Sequence, residues 1–297
     1  MAAPPKKILL QLDTDADPST FDGVVAVDAG VDQLFRHGGV TAKTVTPLVH
    51  GAMFTRGGDD LRGTAIFVGG GDVATAEQVF TAVTGCFFGP VRVSVMLDAN
   101  GCNTTAAAAV LSAAKQLDLD GKTVGVLGGT GPVGRRVAEM SALRGASVLL
   151  ASRDFSRAEQ SVAAVRQRLG ESPATMAVEP IAVDGPAGLT EMLRRCDVVI
   201  SCGAAGVELI DADSLASAPD SLRVAIDLNA VPPAGIAGIG VTDKAVQRGS
   251  RIDYGAIGVG GLKMKIHRQA LKELFDSNDR LLDAAEILEI GQAIVSG

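Results

Sequence analysis

The stretch Lys122-Thr-Val-Gly-Val-Leu127, running directly into Gly128-Gly129-Thr130-Gly131-Pro132-Val133-Gly134, decides the fold. Its first half is a short apolar run suited to a buried strand, and residues 129 to 134 fit G-x-G-x-x-G. Glycine-rich turns are common, so the meaning comes from what surrounds this one. A helix follows with Val133, Val137 and Met140 on one face, and a second strand, Ala146-Ser-Val-Leu-Leu-Ala151, arrives about 20 residues after the loop, as a mononucleotide-binding βαβ unit requires. The glycines answer a steric demand: Gly129 permits the tight turn, Gly131 lets the backbone approach a pyrophosphate, and Gly134 lets helix and strand pack closely. Loop N–H groups and the helix dipole then face the phosphates, which makes Gly129, Thr130, Gly131, Pro132, Val133 and Gly134 the candidate cradle. No Gly-Lys-Ser/Thr follows, so the loop is not an ATPase P-loop.

The end of the second strand speaks to the dinucleotide. NAD-binding folds place Asp or Glu there for the ribose 2′-hydroxyl. Here the strand ends in Ala151-Ser152-Arg153, with Arg157 one turn further on. A carboxylate would repel a 2′-phosphate, whereas a hydroxyl and a guanidinium bond it, so NADP is favoured, with NAD still open. The plainer reading puts Arg153 and Arg157 on a solvated helix start, and Asp154 keeps that alternative open.

Outward from this unit the alternation continues. Asp197-Val-Val-Ile200 reads as a strand ending at Cys202-Gly203-Ala204, whose small side chains would let a nicotinamide lie against the backbone. Val224 to Leu228 is another, ending at Asn229. Towards the N-terminus, Ile8 to Leu12, Thr64 to Val68 and Val91 to Leu97 read as strands. Helices are expected at Phe21 to Leu34, after Asp72, and from Thr104 to Leu117. Strands alternating with helices imply an α/β protein with mostly parallel sheets: a doubly wound Rossmann-type domain and a second α/β domain. The polar turn Asp118 to Lys122 is where a new domain begins. Ile257-Gly-Val-Gly-Gly261 reads as a glycine-rich approach to a helix over Leu262 to Phe275, with His267 on its apolar face as a packing residue.

Composition removes other classes. In 297 residues, 47% are hydrophobic, 21% are charged and the net charge is −7, enough apolar material for a core and no global attraction for a phosphate backbone. With no Trp and one Tyr, few rings are available to stack bases, and no nucleic-acid partner is expected. After Lys7 only five residues, Ile8 to Leu12, precede Asp13, too few for a signal peptide, and no run approaches a membrane span. Cys86, Cys102, Cys196 and Cys202 form no CxxC pair and read as reduced thiols of a cytoplasmic protein. His37, His50 and His267 sit at no metal-ligand spacing, so no metal site is expected.

Several blocks together carry a family resemblance. They are Gln11-Leu-Asp-Thr-Asp15 with Phe21-Asp22, Thr55-Arg-Gly-Gly58, Ala65-Ile-Phe-Val-Gly-Gly-Gly-Asp72, Phe87-Phe-Gly-Pro90 and Met96-Leu-Asp-Ala-Asn-Gly101 with Asn103-Thr-Thr105. The glycine loop and Gly255-Ala-Ile-Gly-Val-Gly-Gly-Leu-Lys-Met-Lys-Ile-His267 complete the set. From about Ile8 to Phe275 the chain resembles the NAD(P)-dependent methylene-tetrahydromethanopterin dehydrogenases, in particular the NADP-dependent type of methylotrophic bacteria. The resemblance implies a catalytic, pterin-binding domain at 1–118 and 255–297 around an NADP-binding Rossmann domain at 119–254. It implies hydride transfer from the methylene carbon of the reduced pterin to NADP, giving the methenyl form in one-carbon metabolism, by a cytoplasmic homo-oligomer. Some members accept methylene-tetrahydrofolate or NAD.

That chemistry asks for no nucleophile or metal, because hydride loss leaves a cation delocalised between two nitrogens. It asks for two rings held face to face in a dry cleft, with carboxylates near the developing charge. Asp15 and Asp98, each just after a strand, are the candidates, the alternative being that each caps a turn or helix. Lys263 and Lys265 lie about 200° apart on a helix, so only one faces inward. Lys263, nearer the glycines, is favoured to orient the pterin; the alternative leaves both solvated or on the pterin's acidic tail. Competing functions are a bifunctional tetrahydrofolate dehydrogenase–cyclohydrolase, a shikimate-type dehydrogenase whose lysine–aspartate pair is not recognisable here, and an NADP sensor without turnover.

Overall fold

Short apolar runs closed by glycine or acidic turns fold as strands, and the amphipathic runs between them as helices. The computed structural model describes residues 5–297; Met1–Pro4, part of the segment read against a signal peptide, lie outside them. In chain order the elements are β1 Ile8–Asp13, α1 Thr20–Asp28, β2 Gln33–His37, α2 Thr46–Phe54, β3 Thr64–Gly69, α3 Val73–Gly85, β4 Ser94–Leu97 and α4 Cys102–Ala114. Then come β5 Thr123–Leu127, α5 Pro132–Leu143, β6 Ser147–Ser152, α6 Phe155–Leu169, β7 Val178–Ala182, α7 Pro186–Arg195, β8 Val198–Ser201, α8 Ala212–Ala216 and β9 Val224–Asp227. The chain closes with β10 Lys244–Arg248, β11 Arg251–Tyr254, α9 Ala256–Glu273, β12 Leu281–Leu282 and α10 Ala284–Ser296.

These elements form two units, Met1–Thr104 with Met264–Gly297, and Thr105–Lys263. The junctions fall inside α4 and α9, whereas the sequence suggested the 118–122 turn and Gly255. The first unit carries a parallel five-stranded sheet in the order β12-β4-β3-β1-β2, with β3 wholly buried. The second carries a seven-stranded sheet in the order β10-β11-β9-β8-β5-β6-β7, parallel except for the β10–β11 hairpin. Its core includes Leu149, Leu189, Met192, Val199, Ile210 and Ile236. Both sheets run outward in two directions from an inner strand, β1 or β5, so each has a switch point where loops diverge at the carboxyl ends. The molecule is an α/β protein with parallel sheets of the Rossmann type.

Three local expectations change. The helix expected over Phe21 to Leu34 stops at Asp28, because Gly30 turns the chain at φ +88° and Gln33 then pairs with Ile8 as the edge strand β2. The strand expected from Val91 begins only at Ser94; Val91 instead closes a bridge to Phe88. The stretch Ile257 to Gly261 is no loop but the opening of α9, an 18-residue helix that begins at Ala256. A Cβ on Gly258 would lie 1.7 Å from the Asp243 carbonyl oxygen, and one on Gly255 would lie 2.0 Å from that of Gly240. These glycines let α9 press on the 240–243 backbone.

Gly258→Ala should therefore lower the melting temperature, by roughly the 1–3 kcal/mol of an overpacked contact or more. Gly260→Ala and Gly261→Ala, where a Cβ would meet nothing within 4 Å, should leave it unchanged or raise it through better helix propensity. Thermal melts of the three variants check this.

Candidate active site and cofactor cradle

In the second unit, β5 delivers the chain to Gly128, which turns it at φ +66°. A Cβ there would lie 2.7 Å from the Gly203 Cα, one on Gly129 would lie 2.7 Å from Leu150 Cγ, and one on Gly134 would lie 2.6 Å from the Gly129 Cα. Protein packing alone demands these three glycines. Gly131 differs: a Cβ there would meet only the Gly128 oxygen, at 3.7 Å. Its bare backbone faces open space and caps α5, whose N-terminus receives no side-chain cap. Pro132 at the first helical position sacrifices no hydrogen bond. An uncapped helix start beneath an unfilled Cβ position fits a pyrophosphate.

Ser152 ends β6 half-buried, and its Oγ accepts from Asp154 N–H at 3.2 Å. Asp154 caps α6 by accepting from Arg157 N–H at 3.3 Å. Arg153 is exposed, whereas Arg157 and Thr130 line a cavity of about 220 Å³ with Arg135, Gln160 and Ser161. At the neighbouring strand end, Cys202 N–H donates to Leu127 O at 2.8 Å. Burial, reinforced by the charge of Asp227, pushes the Cys202 thiol up, so it stays protonated at neutral pH. Gly203 leaves no room for a Cβ against Leu209, while Ala204 is exposed. Asn229 donates its amide to Pro233 O at 2.9 Å, and its Oδ1 accepts from Val231 N–H at 3.0 Å and from Gly206 N–H of the loop after β8 at 3.4 Å.

In the first unit, acidic residues end the inner strands. Asp13, wholly buried, accepts from Asp15 N–H at 3.0 Å and Ser19 N–H at 2.9 Å. Asp15 is exposed and its carboxylate accepts from Gly71 N–H at 2.8 Å, tying the loop after β1 to the one after β3. Asp98 is wholly buried; it accepts from Asn103 N–H at 2.9 Å, Thr104 N–H at 3.0 Å and Thr104 Oγ1 at 2.6 Å, which fastens the start of α4. Its Oδ2 also lies 3.9 Å from Nδ1 of His267, and Asp22 Oδ1 lies 4.0 Å from Nε2. The imidazole stacks on Phe67 with centroids 5.7 Å apart and rings 18° apart. Lys263, one turn before His267 on α9, is half-buried, and Lys265 is exposed.

Sequence reasoning passed over Asp13, Asp22 and Arg135. Asp13 had the same signal as Asp98, an acid directly after an apolar strand; Arg135 had only its place after the third glycine.

A family model described as methylene-tetrahydromethanopterin dehydrogenase, N-terminal, matches residues 20–100. The chain is 43% identical over 289 residues to the Bifunctional protein MdtA of Methylorubrum extorquens, covering 97% of this chain and 98% of that protein. It is 34% identical over 274 residues to the NAD(P)-dependent methylenetetrahydromethanopterin dehydrogenase of the same organism, covering 89% and 90%. The chain belongs to the methylene-tetrahydromethanopterin dehydrogenase family. Its members are oxidoreductases, and the folate dehydrogenase–cyclohydrolase alternative is not favoured by these matches. Among solved structures, 5-ketofructose reductase of a Gluconobacter strain has a TM-score of 0.52 at 18% identity, covering 97% of this chain and 99% of that one. Shikimate 5-dehydrogenase from Listeria monocytogenes has a TM-score of 0.52 at 13% identity, covering 96% of each chain. These likenesses show the Rossmann-type fold. Among the described residues, no helix is long and apolar enough to cross a membrane and no group of His, Cys, Asp or Glu is placed to hold a metal ion.

The hydrogen bonds that Asp98 accepts make it an expected stability determinant. Asp98→Ala strands the buried N–H groups of Asn103 and Thr104, and each stranded donor costs about 1–3 kcal/mol. Urea denaturation should show the midpoint falling, with Asp98→Asn in between because it keeps an acceptor.

Proposed function

We propose that the chain oxidises the methylene bridge of tetrahydromethanopterin by hydride transfer to NADP, giving the methenyl form in one-carbon (formaldehyde) metabolism, with methylene-tetrahydrofolate as a second substrate. The observation that carries this proposal is the open cradle at Gly131 after β5, together with a β6 that ends in Ser152, followed by Arg153, and not in an acid. Bound NADP supplies the hydride acceptor. The C–H bond of the methylene carbon breaks with its electron pair leaving, and the remaining cation is shared between two nitrogens.

The protein's own part is binding, orientation and exclusion of water. Gly129 to Gly134 and the α5 N-terminus hold the pyrophosphate, while Ser152, Arg153 and Arg157 take the 2′-phosphate. Cys202, Gly203, Ala204 and Asn229 border the nicotinamide half; a neutral thiol there adds no charge to oppose or trap the cation. Asp15 and Asp98 supply negative potential towards the pterin unit, Asp15 through an exposed carboxylate and Asp98 through a buried one. Lys263 orients the pterin through its ring oxygen or amide. The working form is a cytoplasmic homo-oligomer; the exposed rings of Phe35, Phe54 and Phe88 in the first unit support association.

Reduction of NADP, followed by absorbance with methylene-tetrahydromethanopterin and methylene-tetrahydrofolate in parallel, tests the assignment, and absence of turnover with both pterins would overturn it. In the same assay Lys263→Ala should lower kcat by roughly tenfold or more, because a misplaced ring loses its near-attack geometry, and Lys265→Ala should do much less. A change confined to KM would mean that Lys263 supplies uniform binding only.

A further inference from the structure

The cavity beside the glycine loop is lined by two cations that have no ion-pair partner among the described residues. Thr130 comes from the loop, Arg135 from the first turn of α5, and Arg157, Gln160 and Ser161 from α6. No carboxylate and no large apolar side chain lines this space of about 220 Å³. Among the described residues neither Arg135 nor Arg157 makes an ion pair. Other arginines of this unit do: Arg136 and Arg168 with Glu139, Arg195 with Glu179, and Arg248 and Arg251 with Asp253. The contrast is informative in a chain of net charge −7, where acids outnumber bases and a partner would be easy to supply. Two guanidinium groups facing one small cavity repel each other in the unliganded protein, and an anion seated between them relieves that repulsion.

The position names the anion. The cavity joins the residue after the first glycine to the helix that follows β6, on the side of the loop where a dinucleotide fold receives the adenosine ribose. Only a nucleotide with a 2′-phosphate places charge there. We propose that Arg135 is a specificity-determining residue: with Arg157 it forms a two-sided clamp on the 2′-phosphate of NADP, with Thr130, Gln160 and Ser161 as neutral hydrogen-bond partners. Arg153, which is exposed and does not line the cavity, has the lesser share. This rests on the NADP proposal above and assigns its discrimination to a helix that the usual inspection of the β6 end does not reach.

Calorimetric titration of the full chain with 2′,5′-ADP and with 5′-AMP tests it. Arg135→Ala should weaken 2′,5′-ADP by roughly tenfold or more, the size of one lost charge-assisted hydrogen bond, and leave 5′-AMP within about twofold. Arg157→Ala should do the same, and Arg135→Lys should recover part of the loss because it keeps the charge but not the fork. Should Arg135→Ala fail to fold, Arg135→Lys and Arg157→Ala carry the comparison. Equal losses for both nucleotides would place Arg135 on the shared 5′-phosphate side and overturn the clamp. Unchanged discrimination in Arg135→Ala, with a wild type that does discriminate, would overturn the clamp alone. A wild type that binds 2′,5′-ADP no better than 5′-AMP would overturn NADP preference and the clamp together.

Discussion

Where β5 ends, three close approaches leave no room for a Cβ. Gly128 lies against Gly203 of the loop after β8, Gly134 against Gly129, and Gly129 against Leu150 of β6. That contact sets the rest of the cofactor unit. It brings α5 down onto the sheet with its N-terminus at the switch point, and holds the β8 loop beside the β5 loop. It also leaves Gly131 as the one glycine of the fingerprint whose emptiness serves no internal packing. A side chain at any of the first three positions would push apart the elements that create the cradle. Fold and ligand site are here one steric constraint.

A second device recurs at strand ends, and it is electrostatic. Asp13 at the end of β1, Asp98 after β4 and Asp227 at the end of β9 are all buried, and each carboxylate accepts from backbone N–H groups of the segment that follows, which for Asp98 is the first turn of α4. A buried carboxylate with fewer donors would be costly, so each fixes its loop in the conformation that supplies them. For Asp227 the donors are Asn229, Gly235 and Ile236, which folds the Pro232-Pro233 segment back over its own strand. Loops at the carboxyl ends of parallel strands carry ligands. Anchoring them with a carboxyl group that faces the protein leaves their outer surfaces available.

This device also explains what could be read in advance. The inner strands β1, β3, β5, β6, β8 and β9 are continuous apolar runs, and the glycine loop announces its own geometry, so the α/β architecture was legible. Edge strand β2 was not: Gln33-Leu-Phe-Arg-His37 carries no alternation, and its pairing with β1 depends on Gly30 turning the chain. Nor was the opening of α9, since a glycine run signals a loop and close packing equally, and only the approach of the 240–243 backbone decides between them. Asp98 was legible as an acid after a strand, and its hold on α4 is the capping alternative the sequence offered; its place beside His267 was not legible. The sequence does not show which donors will surround a carboxylate. Arg135 lay beyond reach because its relevance comes from Arg157, 22 positions away on another helix.

His267 joins these themes. It was read as a packing residue, and it does pack, wholly buried and stacked on Phe67. It is also flanked by Asp98 at one ring nitrogen and Asp22 at the other, so the carboxylate that fastens α4 and a carboxylate of the first turn of α1 lie beside the same imidazole. A wholly buried ring stacked on an aromatic has little freedom to rotate. The helix that carries it therefore has little freedom to turn about its axis. One turn earlier on that helix stands Lys263, half-buried, and two residues past it Lys265, exposed on the opposite side, as the roughly 200° between such positions requires. The difference in burial between the two lysines thus follows from the rotational setting of α9, which the buried histidine after them shares.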